Sequence, residues 1–294
     1  MKLLITRPMP ADVMQRAQAE FDCTIRDNTS PLSADKLRSA LRDFDLVIPT
    51  LGDAFSAEVF ADVNDPRCRL LANFGVGYNH IDVGAAHAAG IAVSNTPGAV
   101  TDATADIAMT LILMTARRAG EGERQVRSGQ WEGWHPTQFL GMHVTGRTIG
   151  VVGMGRIGQA IARRCHFGFG MKVVYLARSP KDVDFPAEPA VNLEALAAQA
   201  DILVVAVPGG AATHHLIGAD VFSAMRSDAI LVNIARGDVV DEPALIAALQ
   251  AGHIAGAGLD VFVKEPTVPD AFRAMENVVL LPHMGSATLE GRVE

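Results

Sequence analysis

Residues 148–158 read Thr148-Ile149-Gly150-Val151-Val152-Gly153-Met154-Gly155-Arg156-Ile157-Gly158. The first five form a short, largely apolar and β-branched run, the composition of a buried strand. The stretch that follows, Gln159-Ala160-Ile161-Ala162-Arg163-Arg164, consists of helix formers with apolar side chains on one face. Between strand and helix stand Gly153, Gly155 and Gly158 in the spacing GxGxxG. Strand, glycine turn and helix together are the context a dinucleotide-binding turn requires, whereas the glycines alone would fit any tight βα turn. In that reading Gly153 permits the turn, Gly155 lets the backbone approach a pyrophosphate and Gly158 lets helix and strand pack closely. The helix start, with Arg156 and Ile157, offers unpaired N–H groups and the positive end of the helix dipole to the phosphates.

About half of the 294 residues precede this turn, so a domain-sized unit comes first. Apolar residues make up 49% and charged residues 20%, ordinary for a globular protein with a sizeable core. The formal charge is −8, and the lysines and arginines form no long run, which argues against nucleic acid as the main partner. Cys23, Cys68 and Cys165 lie far apart with no CxxC pair. That suits a reducing cytoplasm and supplies neither a metal nor a redox motif. The N-terminal Met1-Lys2-Leu3-Leu4-Ile5-Thr6 is too short for a signal peptide and reads as a first strand. No apolar run is long enough for a membrane span.

Strand and helix patterns alternate along the whole chain. In the first half, strands are predicted over 2–6, 46–49, 70–73 and 92–94, with helices over 11–19, 34–41 and 83–89. A helix starting near Thr101 or Asp102, either of which could cap it, runs to Arg118 with an almost wholly apolar middle. It reads as a rigid connector between domains. Beyond Arg147, strands are predicted over 149–152, 172–176, 202–207, 229–234, 257–261 and 278–281. Helices lie between them over 156–165, 193–200, 219–225 and 242–251. Six strands with crossover helices make a complete doubly wound nucleotide-binding domain.

The end of the second strand bears on the cofactor. An NAD site commonly places an acidic residue there to accept from the ribose hydroxyls. This chain has Ala177-Arg178-Ser179 instead. Without the carboxylate nothing repels a 2′-phosphate, Arg178 can pair with it and Ser179 can add a donor. NADP(H) is therefore favoured over NAD(H). The alternative is a solvated loop arginine, with NAD(H) held by other contacts.

Three later segments put polar groups at the C-terminal ends of predicted strands: Asn233-Ile234-Ala235-Arg236-Gly237, Asp260 to Glu265, and Pro282-His283-Met284-Gly285-Ser286. Hydride transfer to a 2-oxo acid needs a cation for the carboxylate and carbonyl, and an acid for the developing alkoxide. Arg236 suits the first role, and His283 the second because imidazole titrates near neutrality. Glu265 suits the task of orienting the ring and favouring its charged form. Singly, each could be an ordinary surface or turn residue; behind a dinucleotide turn they read as a set.

From about Leu70 onward the chain resembles the D-isomer-specific 2-hydroxyacid dehydrogenase family. The resemblance rests on Asn73-Phe74-Gly75-Val76-Gly77-Tyr78-Asn79-His80-Ile81-Asp82, Asn95-Thr96-Pro97-Gly98, Thr104-Ala105-Asp106, the glycine turn, and the segments over 233–237, 256–262 and 282–288. It implies an α/β architecture of two doubly wound parallel-sheet domains. A flavodoxin-like substrate domain, 1–99 plus 284–294, is interrupted by a Rossmann domain, 100–283, and closure about the junctions near Gly98 and Met284 would exclude water. It implies Arg236, Glu265 and His283 as catalytic residues, and Val76 and Gly77 as the loop whose N–H groups meet the substrate carboxylate. Thr104, Arg156, Ile157, Val207, Pro208, Thr213, Ile234, Ala235, Asp260 and Gly285 match cofactor positions, with Asp260 holding the nicotinamide amide.

Within the family the similarity is greatest to NADPH-dependent glyoxylate/hydroxypyruvate reductases, through Ala177-Arg178-Ser179 and Trp131-Glu132-Gly133-Trp134. These imply a homodimer through the nucleotide domain, with Trp134 either reaching the partner's substrate pocket or packing in the interface. Two departures stand out. The chain stops at Glu294, where the family ordinarily continues with a helix returning to the first domain; its loss would leave apolar surface of that domain exposed. The segment Pro208-Gly209-Gly210-Ala211-Ala212-Thr213 differs from the family's leucine- and threonine-bearing loop, although Thr213 remains. Rival readings are an enzyme acting on another small acid, such as phosphite, and a nucleotide-sensing corepressor-like scaffold. Formate is disfavoured because Glu265 stands where formate enzymes carry glutamine.

Overall fold

Two parallel sheets organise the chain, which a computed structural model describes from Met1 to Glu294. Met1–Val100 and Thr288–Glu294 form one unit, and Thr101–Ala287 forms the other. Residues 284–287, expected in the smaller unit, group with the larger one. The Met284 and Gly285 N–H groups donate to the Asp260 carboxylate at 2.8 Å each, which fastens this segment to the larger sheet.

The smaller unit holds β1 (Lys2–Ile5), β2 (Asp22–Ile25), β3 (Leu46–Ile48), β4 (Leu70–Ala72) and β5 (Ala92–Ser94) in the order β2-β1-β3-β4-β5, all parallel. This is the flavodoxin-like order, in which the chain reverses direction across the sheet between β1 and β3. Its core gathers Leu4, Leu37, Leu41, Val47, Phe55, Leu71 and Ile91. The helix Ala34–Asp43 joins that core through Leu37, Ala40 and Leu41, the spacing that places three side chains on one face. Strand β2 and the helix Ala57–Ala61 escape the sequence reading. Asp22-Cys23-Thr24-Ile25 is a half-exposed edge with little apolar signal, and the helix is barely longer than one turn.

The larger unit holds β6 (Thr148–Val152), β7 (Lys172–Leu176), β8 (Ala187–Pro189), β9 (Ile202–Val205), β10 (Ile230–Asn233), β11 (Gly256–Leu259) and β12 (Val278–Leu280). Their order is β12-β11-β10-β9-β6-β7-β8, all parallel. Six of these strands match the predicted ones. The seventh, β8, is a short edge strand ending in Pro189, which cannot donate to a ladder, so composition argues against it. Successive residues of the central strands enter opposite cores. Val152, Leu203, Val205 and Leu231 line one face, and Ile149, Val151, Val204 and Val232 the other. Burial on both faces explains why these strands read as continuous apolar runs rather than alternating ones.

The helix Thr101–Ala116, read from the sequence as a rigid connector, packs as part of this unit. Ala105, Ala108, Leu111 and Ile112 share a core with Ile161, Ala162 and Cys165 of the helix Arg156–Phe169. Fully burying a leucine or isoleucine there stabilises by about 1.5–3 kcal/mol, so the apolar middle is consumed in packing. Thr101 and Asp102 lie inside the helix and do not cap it. The Asp102 carboxylate pairs with Arg164 at 2.9 Å, beside a second Arg164 contact to Asp106 at 2.9 Å. The helix stops at Ala116, short of Arg118, whose backbone turns left-handed with φ 53°.

Candidate active site

The glycine turn follows β6 directly. Gly153 has φ 100°, a conformation glycine tolerates and other residues resist. A Cβ on Gly158 would lie 2.1 Å from the Gly153 carbonyl oxygen, so the helix can start this close to the strand only because that position is bare. A Cβ on Gly155 would meet nothing within 4 Å, and no side chain caps the helix Arg156–Phe169. The turn therefore presents open backbone at a helix N-terminus. Val207 packs against Gly153 from the end of the neighbouring β9. Thr213 donates to the Pro208 carbonyl at 2.7 Å and so closes its own loop, and Pro208 is exposed beside it.

Arg178 and Ser179 are exposed just past the end of β7, which pairs with β6. The structure adds a cation absent from the sequence reading: Lys181 Nζ donates to Ser179 Oγ at 3.2 Å. The signal was a lysine two residues past a serine already singled out, and only the loop's curvature returns it.

The loop after β10 carries Arg236. Buried Asn233 folds that loop: its Nδ2 donates to the Arg236 carbonyl at 2.9 Å and its Oδ1 accepts from Ala235 N–H at 3.0 Å. Ile234 and Ala235 are buried, and Arg236 emerges half-buried. Gly237 then lets the backbone touch the loop after β11, since a Cβ there would sit 2.0 Å from the Phe262 carbonyl carbon. This approach brings the Arg236 segment beside the segment carrying Glu265. Burial lowers the Arg236 pKa, and the charges of Glu265 and Asp238 oppose that shift.

Glu265 and His283 meet. Glu265 Oε1 accepts from Phe262 N–H at 3.0 Å, and Oε2 lies 2.7 Å from His283 Nδ1. An ionised carboxylate only accepts, so Nδ1 carries the proton and Nε2 is left for other partners. Burial pushes the Glu265 carboxyl up, but the His283 hydrogen bond and charge, the Phe262 N–H and the Arg236 charge outweigh it. The net pKa lies below the ordinary glutamate value. The two side chains are 29% and 26% exposed, enough to reach a ligand while held in place.

His283 has φ 53°, a left-handed conformation that costs a side-chain-bearing residue roughly 1–2 kcal/mol. Asp260, 1% exposed, holds it there. The His283 N–H donates to the Asp260 carbonyl, Met284 N–H to Oδ1 and Gly285 N–H to Oδ2, each at 2.8 Å. Burial raises the Asp260 pKa against these N–H groups and the charge of His283. Asp260, expected to hold a nicotinamide amide, thus has a structural duty as anchor of the histidine turn. Thr104 packs beside it against Gly285. Val76 and Gly77 belong to the smaller unit, in the loop after β4.

Residues 109–285 match the D-isomer specific 2-hydroxyacid dehydrogenase NAD binding domain. The chain belongs to this family. It is 44% identical over 298 residues to glyoxylate reductase of Thermococcus onnurineus strain NA1, covering 99% of this chain and 88% of that one. It is 41% identical over 294 residues to glyoxylate/hydroxypyruvate reductase B of Cronobacter sakazakii, covering 99% and 90%. Among solved structures it is similar to the NADPH-dependent glyoxylate/hydroxypyruvate reductase of Sinorhizobium meliloti in complex with NADP and malonate. The TM-score is 0.88 and the identity 37%, over 99% of this chain and 89% of that one. Family membership gives the two parallel sheets their meaning: the seven-stranded one is the NAD-binding domain, with the glycine turn at the end of β6, between β9 and β7.

Proposed function

We propose that this 2-hydroxyacid dehydrogenase reduces a small 2-oxo acid, glyoxylate or hydroxypyruvate, to the 2-hydroxy acid with NADPH, giving the D-isomer where the product is chiral. The observation that carries the reading is the 2.7 Å contact between Glu265 Oε2 and His283 Nδ1, with Arg236 near enough to shift the Glu265 pKa. The named activities of the relatives agree with it.

The residues present fit a dinucleotide. Open backbone at Gly155 and the uncapped helix start would receive the pyrophosphate, with Arg156 and Ile157. Val207, Pro208, Thr213, Ile234 and Ala235 would line the rest of the dinucleotide site, and Thr104, Asp260 and Gly285 its nicotinamide end. Arg178 and Ser179 would take the 2′-phosphate. When bound, NADPH supplies the hydride.

Arg236 pairs with the substrate carboxylate and polarises its carbonyl. In the smaller unit, the N–H groups of Val76 and Gly77 are suited to a substrate carboxylate. His283, protonated on Nε2, gives that proton to the carbonyl oxygen as it gains charge, while Glu265 holds the ring through Nδ1. The proton is then regained from solvent. Purified protein assayed with NADPH or NADH against a panel of 2-oxo acids tests the reading. Turnover of glyoxylate or hydroxypyruvate with preference for NADPH is expected. Failure to oxidise NADPH with any of them overturns it.

We further infer a homodimer in the cytoplasm. No helix is long and apolar enough to cross a membrane. Trp134 is 79% exposed and Leu140 68%, with Val126 and Trp131 exposed nearby in sequence. Such apolar exposure suits a face covered by a second copy, with Trp134 in or near the partner's substrate pocket. Sedimentation equilibrium should give twice the chain mass of 31.1 kDa.

A further inference from the structure

Asn73 is the first residue beyond β4 and Asn95 the first beyond β5. These strands are parallel neighbours with Ala72 in register with Ser94, so the two asparagines occupy equivalent positions at the same edge. Both side chains donate into the loop that follows β4. Asn73 Nδ2 bonds the Gly75 carbonyl at 3.0 Å and the Gly77 carbonyl at 3.2 Å, and Asn95 Nδ2 bonds the Val76 carbonyl at 2.9 Å. Thr96 N–H adds a second bond to the Gly75 carbonyl at 3.2 Å. Three successive carbonyls are therefore drawn inward.

A trans peptide is planar, and its N–H points opposite to its C=O. Drawing in the Gly75 carbonyl turns the Val76 N–H outward, and drawing in the Val76 carbonyl does the same for the Gly77 N–H. Neither N–H, nor that of Gly75, donates to an acceptor within the smaller unit. Gly75, at φ 133°, supplies the unusual backbone with which the loop begins. Successive outward N–H groups form a concave anion site.

The orientation of Asn73 has a cost that identifies its purpose. Its Oδ1 is buried with no partner, although the residue is only 2% exposed. An orphaned buried acceptor is unfavourable. Turning the amide over would set Oδ1 against two carbonyl oxygens, which is worse. The loop carbonyls, not Oδ1, dictate the rotamer.

We infer that Asn73 and Asn95 are positioning residues for carboxylate binding: a two-amide clamp that presets the Val76 and Gly77 N–H groups for the substrate's carboxylate. The inference rests on the proposed function and adds the residues that aim the loop. It also makes a distinction that simple space-filling does not. Aspartate has the shape of asparagine but cannot donate, so Asn95→Asp should be at least as harmful as Asn95→Ala.

The test uses the whole chain with NADPH bound, and oxalate as an unreactive carboxylate probe measured by calorimetry. Alongside it, glyoxylate KM and kcat are measured for wild type, Asn95→Ala, Asn95→Asp and Asn73→Ala. Losing the aim of one charge-assisted hydrogen bond should weaken oxalate binding and raise KM about tenfold in the Asn95 variants. Their kcat should stay within about threefold and NADPH affinity should be unchanged, because the cofactor site lies in the other unit. Asn73→Ala, losing two bonds, should be more severe; the half-buried Asn95 keeps the test decisive if that variant folds poorly. Oxalate affinity and glyoxylate KM unchanged in Asn95→Asp would overturn the inference, as would a wild type that binds no oxalate. Oxalate binding that depends on Asn95 in a protein without 2-oxo acid reductase activity would uphold the clamp and defeat the proposed function instead.

Discussion

Two loops in this protein offer bare backbone N–H groups, and they achieve it by different means. In the larger unit the turn over 153–158 is shaped by what is missing: Gly158 can sit against the Gly153 carbonyl only because it has no Cβ. In the smaller unit the loop over 75–77 is shaped by what is added, the amides of Asn73 and Asn95 pulling three carbonyls inward. The first mechanism is steric and local in sequence. The second is a hydrogen-bond network in which Asn73 reaches carbonyls 2 and 4 positions on, while Asn95 reaches back 19 positions. If the larger unit carries the cofactor, proton transfer and the Arg236 guanidinium, and the smaller one only loop N–H groups for a carboxylate, substitutions should divide accordingly: those in the smaller unit move substrate KM alone, whereas kcat and cofactor affinity respond only in the larger unit.

The largest expected effect tests that division at the proton donor. His283→Ala should lower kcat by about 10²–10⁴-fold. NADPH affinity, measured by fluorescence titration, should stay within a few-fold. Near-normal turnover would remove His283 as the acid.

Gly158→Ala strikes the steric loop. A Cβ placed 2.1 Å from a carbonyl oxygen must push helix from strand, at about 1–3 kcal/mol of stability. Urea denaturation should show that loss, and NADPH binding should weaken while oxalate binding to the smaller unit does not. A stable variant with normal cofactor affinity would show that helix and strand have room to spare.

Arg178→Ala should raise KM for NADPH about tenfold and leave KM for NADH nearly unchanged, since only the former carries a 2′-phosphate for the guanidinium. Equal effects on the two would return Arg178 to the role of a solvated loop residue. Lys181, bonded to Ser179, predicts that Arg178→Ala keeps part of the preference and that Arg178→Ala/Lys181→Ala loses more of it.

The smallest effect is on stability against pH. The Glu265 pKa is depressed in the folded protein, below the ordinary value of 4.5. A depressed carboxyl contributes stability that is present above its unfolded pKa and is lost as pH falls through the folded one. Wild type should therefore be more stable than Glu265→Gln at pH 7. The gap should close in the window just below pH 4.5, as followed by urea midpoints across that range. A gap independent of pH would mean that the His283 contact contributes nothing through its charge.

Elements with a strong local signal were legible in the residues. Leu203 and Val205 on one face and Ile202 and Val204 on the other made β9 unmistakable, and the glycine spacing announced the turn after β6. Strands β2 and β8 were not legible, because a half-exposed edge carries little apolar pattern and a proline speaks against a ladder. Arg236, Glu265 and His283 could be nominated from residue type and from their places after predicted strands. That Glu265 meets His283 through Nδ1, with its other oxygen on the Phe262 N–H, depends on loop geometry no spacing rule contains.

The amino-acid sequence by itself determined the alternation of strand and helix, the glycine turn, and the residue types available for anion binding and proton transfer. These follow from side-chain volume, backbone freedom and periodicity, which act between near neighbours in the chain. Tertiary structure alone decided that Asp260 anchors the strained His283 turn, that Lys181 joins Ser179, and that Asn73 and Asn95 point into one loop. Each of these is a hydrogen bond whose partners are set by how strands align and loops curve, and direction is what a linear order of residues does not carry.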